Sequence, residues 1–231
     1  MADRYFSDDP LQGETATLRG SEAHHLLHVM RAKVGAEIIV FDGRGGEWWA
    51  EIAKLGRAEV ELALKKHRTI ERELAAEFTL AVAIPKGDRQ RWLIEKAVEL
   101  GVSRVIPLTT VRSTASGAEP PAKLSRYVIE ASKQCGRNRL LEIAKPQAWE
   151  DFAALELVGN KFLAHPGGVA VGEAKLQEGG PTFLAVGPEG GFTEDEVAFA
   201  RQHGWQVLGL GERILRIETA AVALLARLTI K

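Results

Sequence analysis

Residues 181–228 hold two apolar runs of strand length, each breaking into a glycine loop and each followed by a helix. Thr182–Val186 has the length of a buried strand. It gives way to Gly187-Pro-Glu-Gly-Gly191, where three glycines around a proline permit backbone conformations closed to other residues and let a ligand approach the main chain. Thr193-Glu-Asp-Glu196 has the form of a capping box, which predicts a helix through His203, and Gly204 is placed to stop it. The same order recurs: a strand over Trp205–Leu210, a loop over Gly211–Arg216 and an apolar helix from about Glu218. Strands that end in glycine loops predict an α/β sheet with its ligand site at the strand ends.

The chemistry of the first loop narrows the ligand. A phosphate cradle joins backbone donors to a lysine, whereas the central side chain here is Glu189, which repels phosphate. The glycine spacing is not that of a dinucleotide-binding turn either. Backbone groups plus one carboxylate suit a ligand that carries hydroxyls, an amino group or a positive charge. A tight turn with no ligand is the competing reading of this loop taken alone.

The second loop, Gly211-Glu-Arg-Ile-Leu-Arg-Ile-Glu-Thr-Ala220, taken with Gly187–Glu196, resembles the cofactor signature of the RsmE family, bacterial 16S rRNA uridine N3-methyltransferases of the SPOUT superfamily. The resemblance extends to Lys86-Gly-Asp-Arg89, Lys96-Ala-Val-Glu-Leu-Gly-Val102, Gln134-Cys-Gly-Arg137 and His24-His-Leu-Leu-His-Val-Met-Arg31, in colinear order along the chain. Cys135 stands where the family commonly has serine, and would donate a weaker hydrogen bond.

The resemblance implies an α/β fold in two parts. Residues 1–70 would form a small PUA-like RNA-binding β-barrel, and 71–231 a SPOUT parallel sheet with a C-terminal trefoil knot. It implies S-adenosyl-L-methionine as cofactor, 16S rRNA within the 30S subunit as partner, and a homodimer. The cofactor-side residues it implies are Leu184, Gly187, Glu189, Gly190, Leu210, Gly211, Ile214, Leu215, Arg216, Thr219 and Ala220. His165, at the end of an apolar run before Pro166-Gly-Gly168, either lines that pocket or caps a turn. Catalytic candidates are Arg216, Glu218 and Glu189, with the general base open between the two carboxylates and water. A structural ion pair is the alternative for Arg216 and Glu218. Substrate-side candidates are Arg31, Arg112, Gln134 and Arg137, a solvated basic helix face being the alternative for the last three.

The rest of the chain agrees with an α/β reading. From Phe78 onward strand-like and helix-like segments alternate: strands at Phe78–Ile84, Val102–Leu108, Leu141–Ala144, Lys161–Ala164, Thr182–Val186 and Gln206–Leu210, with helices capped by Asp88 and running over Ala122–Gln134. Such alternation predicts a largely parallel sheet. Before it, Ser21 can cap a helix through Arg31, and strands at Glu37–Phe41, Glu47–Leu55 and Ala58–Leu64 suggest a small barrel. Asp42-Gly-Arg-Gly-Gly46 reads as a hairpin turn, and Lys65–Glu73 as a charged connector between domains.

Formal net charge is −1, so any RNA contact rests on local patches; Arg112–Lys145 carries seven Lys/Arg against three Glu. His24, His25 and His28 lack a further ligand at recognisable spacing, and no metal is expected. One cysteine, a polar acidic start and no apolar run of membrane-spanning length point to a cytoplasmic protein. Methylation of a tRNA on the same fold, and a non-catalytic ribosome-assembly factor, are the competing functions; cofactor binding separates the last from both enzymes.

Overall fold

The computed structural model describes residues 3–113, 121–177 and 179–230. Pro120, and the Glu119 of the basic stretch, lie outside the described residues. The chain divides into two compact units: residues up to Glu73 together with Ser132–Leu140, and Leu74–Ala131 together with Leu141–Lys231.

In the first unit five strands, β1 (Arg4–Phe6), β2 (Thr15–Leu18), β3 (Glu37–Phe41), β4 (Glu47–Leu55) and β5 (Val60–Arg68), form one sheet in the order β1-β3-β4-β5-β2. Only β1 and β3 run parallel. The pairing thus begins at β1 and ends at β2 in one curled sheet, with no β1–β2 ladder among the described residues. The β3–β4 connection is the expected hairpin: Gly43 and Gly46 take φ values of +77° and +73°, and Asp42 Oδ1 accepts from the Arg44 amide at 3.1 Å.

Strand β5 continues through Lys65–Arg68, residues that read as connector in the sequence. The reason is the length of its partner: β4 offers nine residues, and pairing continues to Glu47↔Arg68 while Lys65, Lys66 and His67 stay solvated. The helix expected from Ser21 to Arg31 is shorter and wider. Helix α1 (Gly20–His24) has Arg19, not Ser21, as its N-cap, and then relaxes into one π-helical turn, His25–Val29. Ala23 and Leu26 remain buried against Leu18, Val40, Ile52 and Leu62. His24 and His28, both exposed, face each other with ring centres 4.7 Å apart and planes tilted by 49°, and no group of three metal-ligating side chains occurs among the described residues.

Glu47 ties this unit together. Its side chain is 2% exposed and faces Arg4 at 2.5 Å, Arg68 at 3.6 Å and Arg72 at 3.8 Å, with the Asn138 amide at 3.4 Å. Around it Arg137, 3% exposed, pairs with Glu73, and Arg139 bonds Glu71 at 3.0 Å. Ser132–Leu140 is held in the unit by these pairs.

The second unit is built on an all-parallel sheet, β12-β10-β11-β6-β7-β8, with β9 also pairing β7. Its strands are β6 (Phe78–Val82), β7 (Arg104–Thr109), β8 (Glu142–Ile143), β9 (Gln147–Ala148), β10 (Asn160–Ala170), β11 (Thr182–Val186) and β12 (Gln206–Gly209). The helices are α2 (Asp88–Glu99), α3 (Pro121–Cys135), α4 (Trp149–Ala153), α5 (Glu194–Gln202) and α6 (Ile217–Thr229). One face of the sheet packs Ala81, Leu163 and Ala185 under the aromatic cluster Trp149, Phe152, Phe192 and Trp205. Helix α6 packs on α2, β6 and β11, with Ala221, Leu224 and Leu225 buried. Both faces are covered, as a parallel sheet requires. No helix among the described residues is long and apolar enough to cross a membrane.

Local signals set the helix ends near the site. The capping box at α5 is complete: Thr193 Oγ1 accepts from the Glu196 amide at 3.2 Å and Glu196 Oε2 from the Thr193 amide at 2.7 Å. Gly204, at φ +78°, ends the helix in a Schellman arrangement, the Trp205 amide reaching Ala200 O and its own amide Arg201 O. At α2 the N-cap is Gly87 (φ 66°, ψ −148°) rather than Asp88, because the entering backbone takes a conformation that only glycine adopts freely.

Strand β10 is far longer than the four residues expected. It pairs with Leu208 twice, from Ala164 and again from Val169, so Pro166-Gly-Gly168 forms a bulge between them. There Gly168 lies against the β12 main chain: a Cβ would sit 2.5 Å from the Leu208 carbonyl carbon.

Two stability predictions follow from these contacts. Glu47→Gln removes the carboxylate facing three guanidinium groups and costs about 3 kcal/mol, read as a lower urea midpoint of unfolding. Gly168→Ala forces a strand backbone apart and costs roughly 2 kcal/mol; an unchanged midpoint would mean that the bulge relaxes freely.

Candidate functional site

The sheet register brings the site together. Ala164, Val186 and Val82 stand level across β10, β11 and β6, and Leu208 of β12 is level with Ala164. All four strands are parallel, so the loops that follow them leave from one edge. Between those loops lies a cleft of about 300 Å³, at the lower end of the range for small-molecule sites.

Gly187, Glu189, Gly190, Leu210, Gly211, Ile214, Leu215, Ala220, His165 and Arg112, each singled out in the sequence, line this cleft together. Leu184 is fully buried one turn of the pleat below, and Arg216, Glu218 and Thr219 begin α6 outside the lining. Val186, Phe192 and Ile217 add apolar wall, and Ile214 is 93% exposed at the mouth. The lining contains no lysine; its cations are Arg112 and Arg213.

Glycine relieves two different close approaches in the first loop. A Cβ at Gly187 would stand 3.1 Å from the Phe192 ring, so that position is closed by packing. A Cβ at Gly190 would stand 3.3 Å from Arg112 Cδ, because the arginine stem lies along the loop. Arg112 Nη1 donates to Gly190 O at 2.7 Å and also faces Phe192 O at 3.5 Å. The arginine expected to meet substrate is therefore also part of the cleft wall. His165 is half-buried, and its Nδ1 accepts from the Gly167 amide at 3.2 Å, which leaves Nε2 as the donor of a neutral ring.

Two carboxylates meet one arginine beside the cleft. Arg89 Nη2 lies 3.4 Å from Glu189 Oε1 and Nη1 lies 3.9 Å from Glu218 Oε2. Glu218 is 7% exposed, and its Oε2 accepts no hydrogen bond among the described residues. Arg89 belongs to the Lys86–Arg89 motif, yet sequence reasoning gave it no role. The available signal was its position: the first turn of a helix favours acids, so an arginine there has a partner elsewhere. Arg213, in the second loop, was passed over in the same way. Arg216 caps α6 with its side chain exposed and makes no side-chain hydrogen bond or ion pair among the described residues.

The substrate-side candidates separate. Arg112 lies at the cleft and Gln134 is exposed near the end of α3. Arg31 is exposed after the π turn, with a φ of 49°. Arg137 is buried against Glu73, which gives it a structural task in the first unit in place of an accessible cationic face.

The arrangement can enclose a partly apolar ligand against main-chain groups, with carboxylates and arginines at its rim. The residues fit S-adenosyl-L-methionine on this ground: close backbone approach, apolar walls and no phosphate-binding lysine.

Comparison with known proteins agrees. Residues 72–229 match the model of an RNA methyltransferase domain, and residues 18–65 that of an RNA methyltransferase PUA domain. Ribosomal RNA small subunit methyltransferase E of Synechocystis is 32% identical over 93% of this chain and 72% of its own length. The protein of that name from Bacillus subtilis is 30% identical over 94% and 91%. Among solved structures, the Neisseria gonorrhoeae ribosomal RNA small subunit methyltransferase E bound to S-adenosyl methionine superposes with a TM-score of 0.89 at 30% identity, covering 98% of this chain and 96% of that one. A Legionella pneumophila methyltransferase in complex with the cofactor SAM gives a TM-score of 0.90 at 28% identity, with the same coverage. With the domain model spanning most of its length and these relatives aligned nearly end to end, the chain belongs to the RsmE family of ribosomal RNA small subunit methyltransferases.

Proposed function

We propose that this protein transfers a methyl group from S-adenosyl-L-methionine to N3 of a uridine in 16S rRNA of the small ribosomal subunit. The observation that carries the reading is the convergence of both glycine loops on one cleft at the edge of the parallel sheet. Its relatives solved with that cofactor share the fold over almost the whole chain.

Main-chain groups at Gly187, Leu210 and Leu215 would hold the adenine and ribose, and Glu189 would accept from hydroxyl or amino groups. When bound, S-adenosyl-L-methionine supplies an electrophilic methyl group. The uridine N3–H is a weak acid, so its proton must be accepted and the negative charge on the uracil oxygens stabilised. Glu189 and Glu218, both beside Arg89, are the candidate acceptors, with water as the third. Arg216 has its whole donor fork available for the uracil oxygens, a task to which a planar guanidinium is suited. Val186, Phe192 and Ile217 keep water from the back of the cleft, which strengthens each of these interactions. Ala220, in the cleft lining, and Thr219 beside it would stand on the cofactor side, as the family resemblance implies.

The same reading takes residues 1–70 as the RNA-binding PUA-like β domain and 71–231 as the methyltransferase domain. It makes the C-terminal chain a trefoil knot, the protein a cytoplasmic homodimer and the 30S subunit its substrate; family resemblance supports these points. Arg31, Arg112 and Gln134 remain on the substrate side. Arg137 is assigned to structure.

Labelled S-adenosyl-L-methionine, incubated with unmodified 30S subunits, naked 16S rRNA or bulk tRNA, should yield 3-methyluridine in the 16S rRNA of 30S subunits. Label in tRNA, or in another nucleoside, would overturn the substrate. Gly190→Val pushes a branched side chain onto Arg112 and should weaken cofactor binding about tenfold or more, equivalent to ~1.4 kcal/mol, by calorimetry. Unchanged affinity would remove the loop from the site.

A further inference from the structure

We infer that Glu196, which lies outside the cleft, is a positioning residue that sets cofactor affinity by acting through Arg112. Glu196 is the third residue of α5 and 3% exposed, and both of its carboxylate oxygens are engaged. The capping box uses only one of them, Oε2, which accepts from the Thr193 amide at 2.7 Å. The other, Oε1, accepts from the Val111 amide at 3.0 Å, on the turn that follows β7. The next residue on that turn is Arg112, whose guanidinium donates to Gly190 O and whose stem lies along Gly190.

Among the described residues, little packing holds Val111 and Arg112, although Thr110 before them is buried. Val111 is 69% exposed and Arg112 is exposed, while Ser113 Oγ supplies a local bond to the Thr110 amide at 2.9 Å. Among the described residues, the bond from Val111 to Glu196 is what fastens the turn to the helix behind the cofactor loop. One buried carboxylate thereby fixes the loop at two places. It anchors the Thr193 end directly, and through Val111 and Arg112 it holds the carbonyls of Gly190 and Phe192. Charge makes the bond strong, since an ionised acceptor binds backbone N–H groups about twice as well as a neutral one.

The inference rests on reading the cleft as the S-adenosyl-L-methionine site, and the test separates the two. Cofactor affinity, by calorimetry, and the thermal midpoint are measured for wild type, Glu196→Gln, Arg112→Ala, the double variant and Thr193→Ala. Glutamine keeps the size but turns an amide donor toward one of the two N–H groups. Glu196→Gln and Arg112→Ala should each weaken the cofactor by about five- to tenfold, and the double variant no further than Arg112→Ala alone, the signature of residues acting in series. Thr193→Ala removes the hydroxyl of the capping box and leaves the Val111 bond in place. It should lower the thermal midpoint while cofactor affinity stays within about twofold, since the lost cap is a local stability effect.

Wild-type affinity in Glu196→Gln, or losses that multiply in the double variant, would overturn the inference. Thr193→Ala reproducing the loss of affinity would reduce Glu196 to a helix cap and overturn it as well. A wild-type protein that binds no cofactor would sink the reading of the cleft itself, and this inference with it.

Discussion

The position of β10 between β11 and β12 is the constraint on which the site depends. Because all three strands run the same way, their ends, and the loops carrying Pro166-Gly-Gly168, Gly187–Gly191 and Gly211–Arg216, come out along one edge. Sequence order alone would not do this, since β11 lies inside the sheet next to β6 while β12 forms its edge beyond β10. Parallel pairing also buries both faces, and the strand ends beneath the cleft, Val82, Ala164, Val186 and Leu208, are apolar. Chemistry is therefore confined to the rim, where the arginines and carboxylates are found.

How far the sequence showed this follows from how local each signal is. The α5 capping box, the Gly204 stop and the Asp42–Gly46 turn are settled within a few residues, and they appear as read. Strands β5 and β10 were read short because their length is set by the neighbour strand: Lys65–Arg68 becomes strand only when β4 lies beside it. The π turn at His25 is likewise set by what Ala23 and Leu26 must cover. Of the site, the two glycine loops were legible because they are contiguous. Arg89 was not, since its partners Glu189 and Glu218 lie about a hundred residues or more away in sequence.

Charge gives the same lesson in another form. The surplus of cations over Arg112–Lys145 resembles a basic stripe on paper, but the fold spends much of it internally. Lys133 bonds Glu22 at 2.9 Å, Arg137 pairs with Glu73, Arg139 with Glu71, and Arg112 with backbone carbonyls. A run of like charge in one dimension says little about the field in three when its partners come from elsewhere in the chain.

The contact at Gly168 bears on how such a site can be varied. Two backbones meet there with no room for a methyl group, so the floor of the cleft on the β10 side is fixed by geometry that no side chain can adjust. The opposite rim, Glu212–Ile214, is exposed, and no backbone contact of that kind is seen there among the described residues. Divergence in what this scaffold accepts should therefore accumulate on one side of the opening only, and a randomised library would keep 166–168 constant and place its diversity at 212–214.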